Sequence, residues 1–117
     1  MTRIYLDTSA LAKRVFIEAE SLALRDALDA AAQQRWHLVT SALTRVEVGR
    51  VIRTRIDAEE PQLAGRAFVD SMDGIATAHL TRAVMDSARI IGPPMLRTLD
   101  AIHLATTVAL TVDEVWT

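Results

Sequence analysis

Ile4-Tyr5-Leu6, His37-Leu38-Val39, Gly74-Ile75-Ala76-Thr77 and Glu114-Val115-Trp116-Thr117 are four short strand-like runs, and helix-forming sequence separates each from the next. Parallel neighbours need a crossover of roughly a dozen residues or more, so this alternation predicts a parallel sheet with helices on both faces, an α/β/α sandwich. The helices are predicted over Ala10 to Val15, Glu18 to Ala32, Ala42 to Ile56 and Gln62 to Met72. Two more follow: one capped by Thr81 and running to Ile91, where Gly92-Pro93-Pro94 ends it, and one capped by Thr98 over Leu99 to Leu110. No internal repeat, low-complexity tract or linker interrupts the pattern, so residues 1–117 read as one domain.

Half of the residues are hydrophobic but only 4% are aromatic, so the core must be built from Leu, Val, Ile and Ala. That is more apolar material than one small core hides, and it predicts self-association. Fifteen acids against 13 bases leave a net charge of −2. A protein that grips nucleic acid by charge alone is usually basic, so nucleic-acid chemistry here requires a bound cation or a local basic face. The chain has no cysteine, which excludes disulfides, thiolate metal sites and cysteine nucleophiles. The N-terminus lacks the apolar stretch of a signal peptide, and no run of about eighteen apolar residues exists to span a membrane. A soluble, cytoplasmic protein is expected.

Three carboxylates stand out. Asp7 directly follows a strand and precedes a helix, the place where open parallel sheets bind ligands. The structural alternative is an N-cap aspartate, although Thr8 and Ser9 are equally able to cap. Glu47 shares a helical face with Leu43 and Val51 on a helix that is apolar on several sides. A buried acid there needs a partner, either a metal or Arg50 three residues on, and the segment alone does not choose. Asp100 lies in the nearly apolar Leu99-Asp100-Ala101-Ile102-His103-Leu104-Ala105, with His103 and Thr107 on its stripe. Its alternative is a bond to a nearby hydroxyl or to Arg97. For His103 the structural reading, a satisfied core histidine, is preferred to a catalytic one. Three acids on separate element ends suit a hard cation such as Mg²⁺ or Mn²⁺.

In that order and spacing, Ile4-Tyr5-Leu6-Asp7-Thr8-Ser9-Ala10-Leu11, then Thr40-Ser41 with Val46-Glu47-Val48, then Leu96-Arg97-Thr98-Leu99-Asp100-Ala101-Ile102-His103-Leu104-Ala105 resemble the three acidic blocks of the PIN-domain ribonucleases. The likeness is greatest to the VapC-type toxins of toxin–antitoxin pairs and covers essentially the whole chain. It implies a PIN-like three-layer sandwich, with Asp7, Glu47 and Asp100 as catalytic and metal-binding acids for Mg²⁺ or Mn²⁺. It further implies an endoribonuclease that arrests growth by cutting RNA, a homodimer, and a VapB-like antitoxin that covers the active site. One departure bears on activity: the family usually carries a further aspartate just after the final strand, in a Thr-x-Asp pattern, and here the sequence stops at Thr117. The C-terminal end therefore reads as truncated, and the competing expectation is a catalytically weak domain that mainly binds antitoxin. A phosphoaspartate enzyme built on Asp7 ranks below both, because Ser9 stands where such enzymes place a second acid.

Overall fold

A computed structural model describes residues 1–117. The chain runs β1 (Arg3–Leu6), α1 (Thr8–Ala12), α2 (Ser21–Gln33), β2 (His37–Ser41), α3 (Ala42–Arg55), α4 (Pro61–Met72), β3 (Ala76–Ala78), α5 (Arg82–Ala88), α6 (Thr98–Ala109) and β4 (Glu114–Trp116). All four strands pair in parallel in the order β3-β2-β1-β4. The expected α/β fold with a short parallel sheet is therefore present.

The connections decide where each helix lies. From β1 to β2 to β3 the chain steps one way across the sheet, and from β3 it returns past both to pair β4 with β1. Parallel crossovers are right-handed, so the first two connections cover one face and the last covers the other. The helices divide accordingly: α1, α3 and α4 pack together, as do α5 and α6. The first face carries the main core, where Ile4 and Leu6 of β1 meet Leu11, Val48, Ile52 and Met72. Tyr5 alternates to the opposite face, where its ring meets the ring of His103 on α6 edge-on, with centroids 6.0 Å apart.

Local signals explain most element ends. Ser41 caps α3 by accepting the Thr44 N–H at 3.1 Å, and Thr81 caps α5 by accepting that of Val84 at 3.1 Å. Helix α1 spans Thr8–Ala12 rather than Ala10 to Val15, and α2 Ser21–Gln33 rather than Glu18 to Ala32; two further expectations also need correction. Helix α5 stops at Ala88 rather than Ile91: the Ile90 and Ile91 N–H groups both turn to the Ser87 carbonyl, and Gly92 at φ +74° leads the chain away. Thr98 lies inside α6 rather than capping it; the N-cap is Arg97, whose side chain makes no capping bond. No helix is long and apolar enough to cross a membrane.

Candidate active site

The parallel order places the acids before any side chain is considered. Asp7 follows β1 directly, and Glu47 lies in the second turn of α3, which leaves the carboxyl end of β2. Helix α6 runs back before entering β4, so its first turn, with Asp100, returns to the same end of the sheet. The chain reverses its direction of travel between β1 and β4, and such switch points open a crevice outside the strand ends. Asp7, Glu47 and Asp100 all line one cleft there, of about 340 Å³, together with Tyr5, Thr8 and His103. A larger and more apolar depression of about 820 Å³ lies between α5, the segment after it and α6, but it holds no carboxylate. Chemistry, not size, marks the first as the candidate.

Asp7 is the N-cap of α1: its Oδ1 accepts the Ala10 N–H at 3.0 Å. The cap and ligand readings are thus compatible, since one carboxylate oxygen orients the group and Oδ2 remains without a partner in the chain. The backbone of Asp7 is tied as well, its N–H donating to the Trp116 carbonyl at the end of β4 at 3.1 Å. Thr8 and Ser9, expected to be alternative caps, lie within the helix, and the Thr8 hydroxyl instead donates to Glu47 Oε1 at 2.8 Å.

Glu47 does not pair with Arg50, which is exposed. Its partner is His103, whose Nε2 lies 2.6 Å from Glu47 Oε1, and the glutamate side chain is 26% exposed. Both nitrogens of the His103 ring have partners, as the structural reading expected, and the ring also lines the cleft, linking α6 to α3. Asp100 is exposed rather than buried, and it bonds neither a hydroxyl nor Arg97. Its position in the first turn of α6 is favourable for a negative charge, which meets the positive end of the helix dipole.

Behind His103 stands Tyr5, only 1% exposed, with its hydroxyl 2.6 Å from His103 Nδ1 and 3.4 Å from Thr44 Oγ1. Burial pushes the phenol above the ordinary tyrosine range and the Asp7 charge adds to this, while the neighbouring Ser41, Thr44 and Thr40 hydroxyls work against it. The phenol therefore keeps its proton and remains a donor. Neither Tyr5 nor Thr8 was singled out from the sequence. A tyrosine in a buried strand does carry a signal, since its hydroxyl must find a partner inside.

The three carboxylates share the cleft without converging on one point: no three His, Asp or Glu side chains are grouped as the ligands of one ion. Glu47 Oε1 is taken up by His103 and Thr8. The donor chemistry nonetheless fits a hard cation, because Asp7 and Asp100 keep unpartnered oxygens on the cleft and Mg²⁺ is commonly held by one or two carboxylates plus waters.

Comparison with known proteins follows the same lines. Ribonuclease VapC35 of Mycobacterium tuberculosis is 47% identical over 104 residues, which cover 88% of this chain and 71% of that protein. Ribonuclease VapC46 of the same species is 42% identical over 113 residues, covering 97% of this chain and 80% of its own length. Among solved structures, Mycobacterium tuberculosis VapC20, described as a sarcin–ricin loop cleaving toxin, superimposes with a TM-score of 0.72 over 97% of this chain and 88% of that one. At 15% identity that likeness concerns the fold alone. The PIN domain matches residues 4–117, the span that runs from β1 through β4 and encloses all three acids. A match of that extent, with relatives above 40% identity, establishes the family: the chain belongs to the PIN domain proteins.

Proposed function

We propose that this chain is a divalent-metal-dependent endoribonuclease, the VapC-type toxin of a toxin–antitoxin pair acting in the cytoplasm. One observation carries the reading: Asp7, Glu47 and Asp100, from three separate elements, line a single cleft at the carboxyl end of the sheet. The relatives are ribonucleases by name, which agrees with that chemistry.

A divalent cation held in the cleft would offset the charge of the scissile phosphate and lower the pKa of a bound water. Asp7, Asp100 and Glu47 would be the residues to hold it, since each keeps a free carboxylate oxygen in the cleft. Asp7 is fixed for this by its cap to Ala10, and Glu47 by its two donors at Oε1. Without a counterion the three charges repel one another and a polyanion alike. The test is cleavage of RNA by the purified chain with Mg²⁺ or Mn²⁺, and again after chelation. Cleavage that depends on the added metal is expected; equal cleavage in chelator would refute the metal-dependent reading. An antitoxin-binding domain with weak activity is the alternative, and a folded chain that binds a VapB-like antitoxin yet leaves RNA intact in Mn²⁺ would favour it.

The toxin is further proposed to be a homodimer. Ile90 and Met95 are 83% and 93% exposed beside the apolar depression between α5 and α6, and such surface is commonly covered by a partner. Sedimentation at micromolar concentration should show a species of twice the chain mass. A monomer throughout that range contradicts the dimer.

A further inference from the structure

Glu47 makes both of its hydrogen bonds through one oxygen. Thr8 Oγ1 donates to Oε1 at 2.8 Å and His103 Nε2 lies 2.6 Å from the same atom, whereas Oε2 has no partner in the chain. A carboxylate oxygen can only accept, so His103 carries its proton on Nε2. In the neutral ring Nδ1 is then bare and accepts from the Tyr5 hydroxyl, 2.6 Å away. The Tyr5 oxygen is left to accept from Thr44 Oγ1 at 3.4 Å, and Thr44 Oγ1 to accept from Ser41 Oγ at 3.2 Å. Ser41 is itself fixed by capping α3. The donors thus run in one direction, from the cap of α3 through the sheet and α6 back to the second turn of α3.

This loop is built from groups that hold their places. Tyr5, Ser41 and Thr44 are at most 1% exposed, and no buried side-chain polar atom lacks a partner. Its members come from β1, β2, α3 and α6, and the imidazole cannot turn without breaking its bonds to two other elements, β1 through Tyr5 and α3 through Glu47. Tyr5, His103 and Glu47 all line the cleft, but only Glu47 brings a carboxylate to it, with Oε1 bonded twice and Oε2 free.

We propose that Tyr5 and His103 are positioning residues that clamp Glu47 by Oε1 and thereby present Oε2 as the ligand oxygen for a divalent cation. The inference rests on the metal-dependent reading given above. Groups that orient a metal ligand from behind typically change affinity by about 10- to 100-fold when removed. The clamp works through Glu47 alone, so its removal has no effect once Glu47 is already disabled.

The experiment is calorimetric titration of the full chain with Mn²⁺, with the urea midpoint of every variant measured alongside. His103→Ala is expected to weaken Mn²⁺ binding by about tenfold. His103→Gln, whose amide can donate to Oε1, is expected to recover most of that loss. Added to Glu47→Gln, the His103→Ala change should cause no further loss. An unchanged affinity in His103→Ala, or an equal loss with and without Glu47, overturns the clamp. Asp100→Asn separates this from the metal reading, since an unaltered Mn²⁺ affinity there overturns the metal site instead. The clamp is then judged by nitrogen NMR of the His103 ring. Protonation of Nε2 with Nδ1 accepting, and a shift of the Nδ1 signal in Tyr5→Phe, support it; the opposite tautomer or no shift overturns it.

Discussion

Asp100→Asn is expected to lower metal-dependent RNA cleavage by about 10³-fold, the scale of losing one fixed group that stabilises charge at a reacting centre. Folding should scarcely change. Asp100 is exposed and bonds to nothing in the chain, so its side chain supports no packing. Its charge meets the positive end of α6, an effect of at most about 0.5 kcal/mol at an exposed site. Asp7→Asn is expected to behave alike, because asparagine caps helices as well as aspartate and can still accept the Ala10 N–H. Rates of RNA cleavage in Mn²⁺ and urea midpoints should be taken from the same preparations. Wild-type cleavage by folded Asp100→Asn would eliminate the acid from the mechanism, and with it the cleft as the active site.

Leu11→Ala is expected to produce the largest loss of stability, about 3 kcal/mol by urea denaturation. Leu11 is completely buried among Ile4, Leu6, Val48 and Ile52, and it is the largest apolar side chain on α1. A helix of five residues has almost no stability of its own, so this packing is what holds α1 in place. The cap of Asp7 depends on that placement, because the N–H it accepts belongs to Ala10 in the same turn. A loss below about 1 kcal/mol would show that the cavity collapses or that α1 is held by other means.

The sequence was legible where the physics is local. Each strand run became a strand, and the Ser41 and Thr81 caps stand where their hydroxyls precede helical sequence. The α/β class followed from alternation alone, and the three acids could be named individually. That they meet in one cleft was not readable from spacing, and came only with the family resemblance. The apolar neighbours of Asp100 point to burial, yet Leu99 and Leu104 beside it are also exposed, and Leu104 lines the cleft with it. Arg50 was the natural partner for Glu47 by helical spacing, yet the partner came from 56 residues away on α6. The bond between Tyr5 and His103 spans 98 residues, and no local rule pairs them.

The sheet joins its first and last strands, Ile4 facing Glu114 and Leu6 facing Trp116, with Arg3 N donating to Asp113 Oδ2 at 2.8 Å. Contacts of that reach cost the most chain entropy and are made late in folding. During synthesis β1, β2 and β3 leave the ribosome with the helices that cover their first face, and can pair while α6 and β4 are still to come. At that stage Asp7 and Glu47 are in place, but Asp100, His103 and the β4 wall of the cleft are not. The cleft therefore draws its groups from both halves of the chain, Asp7 and Glu47 from one and Asp100 and His103 from the other.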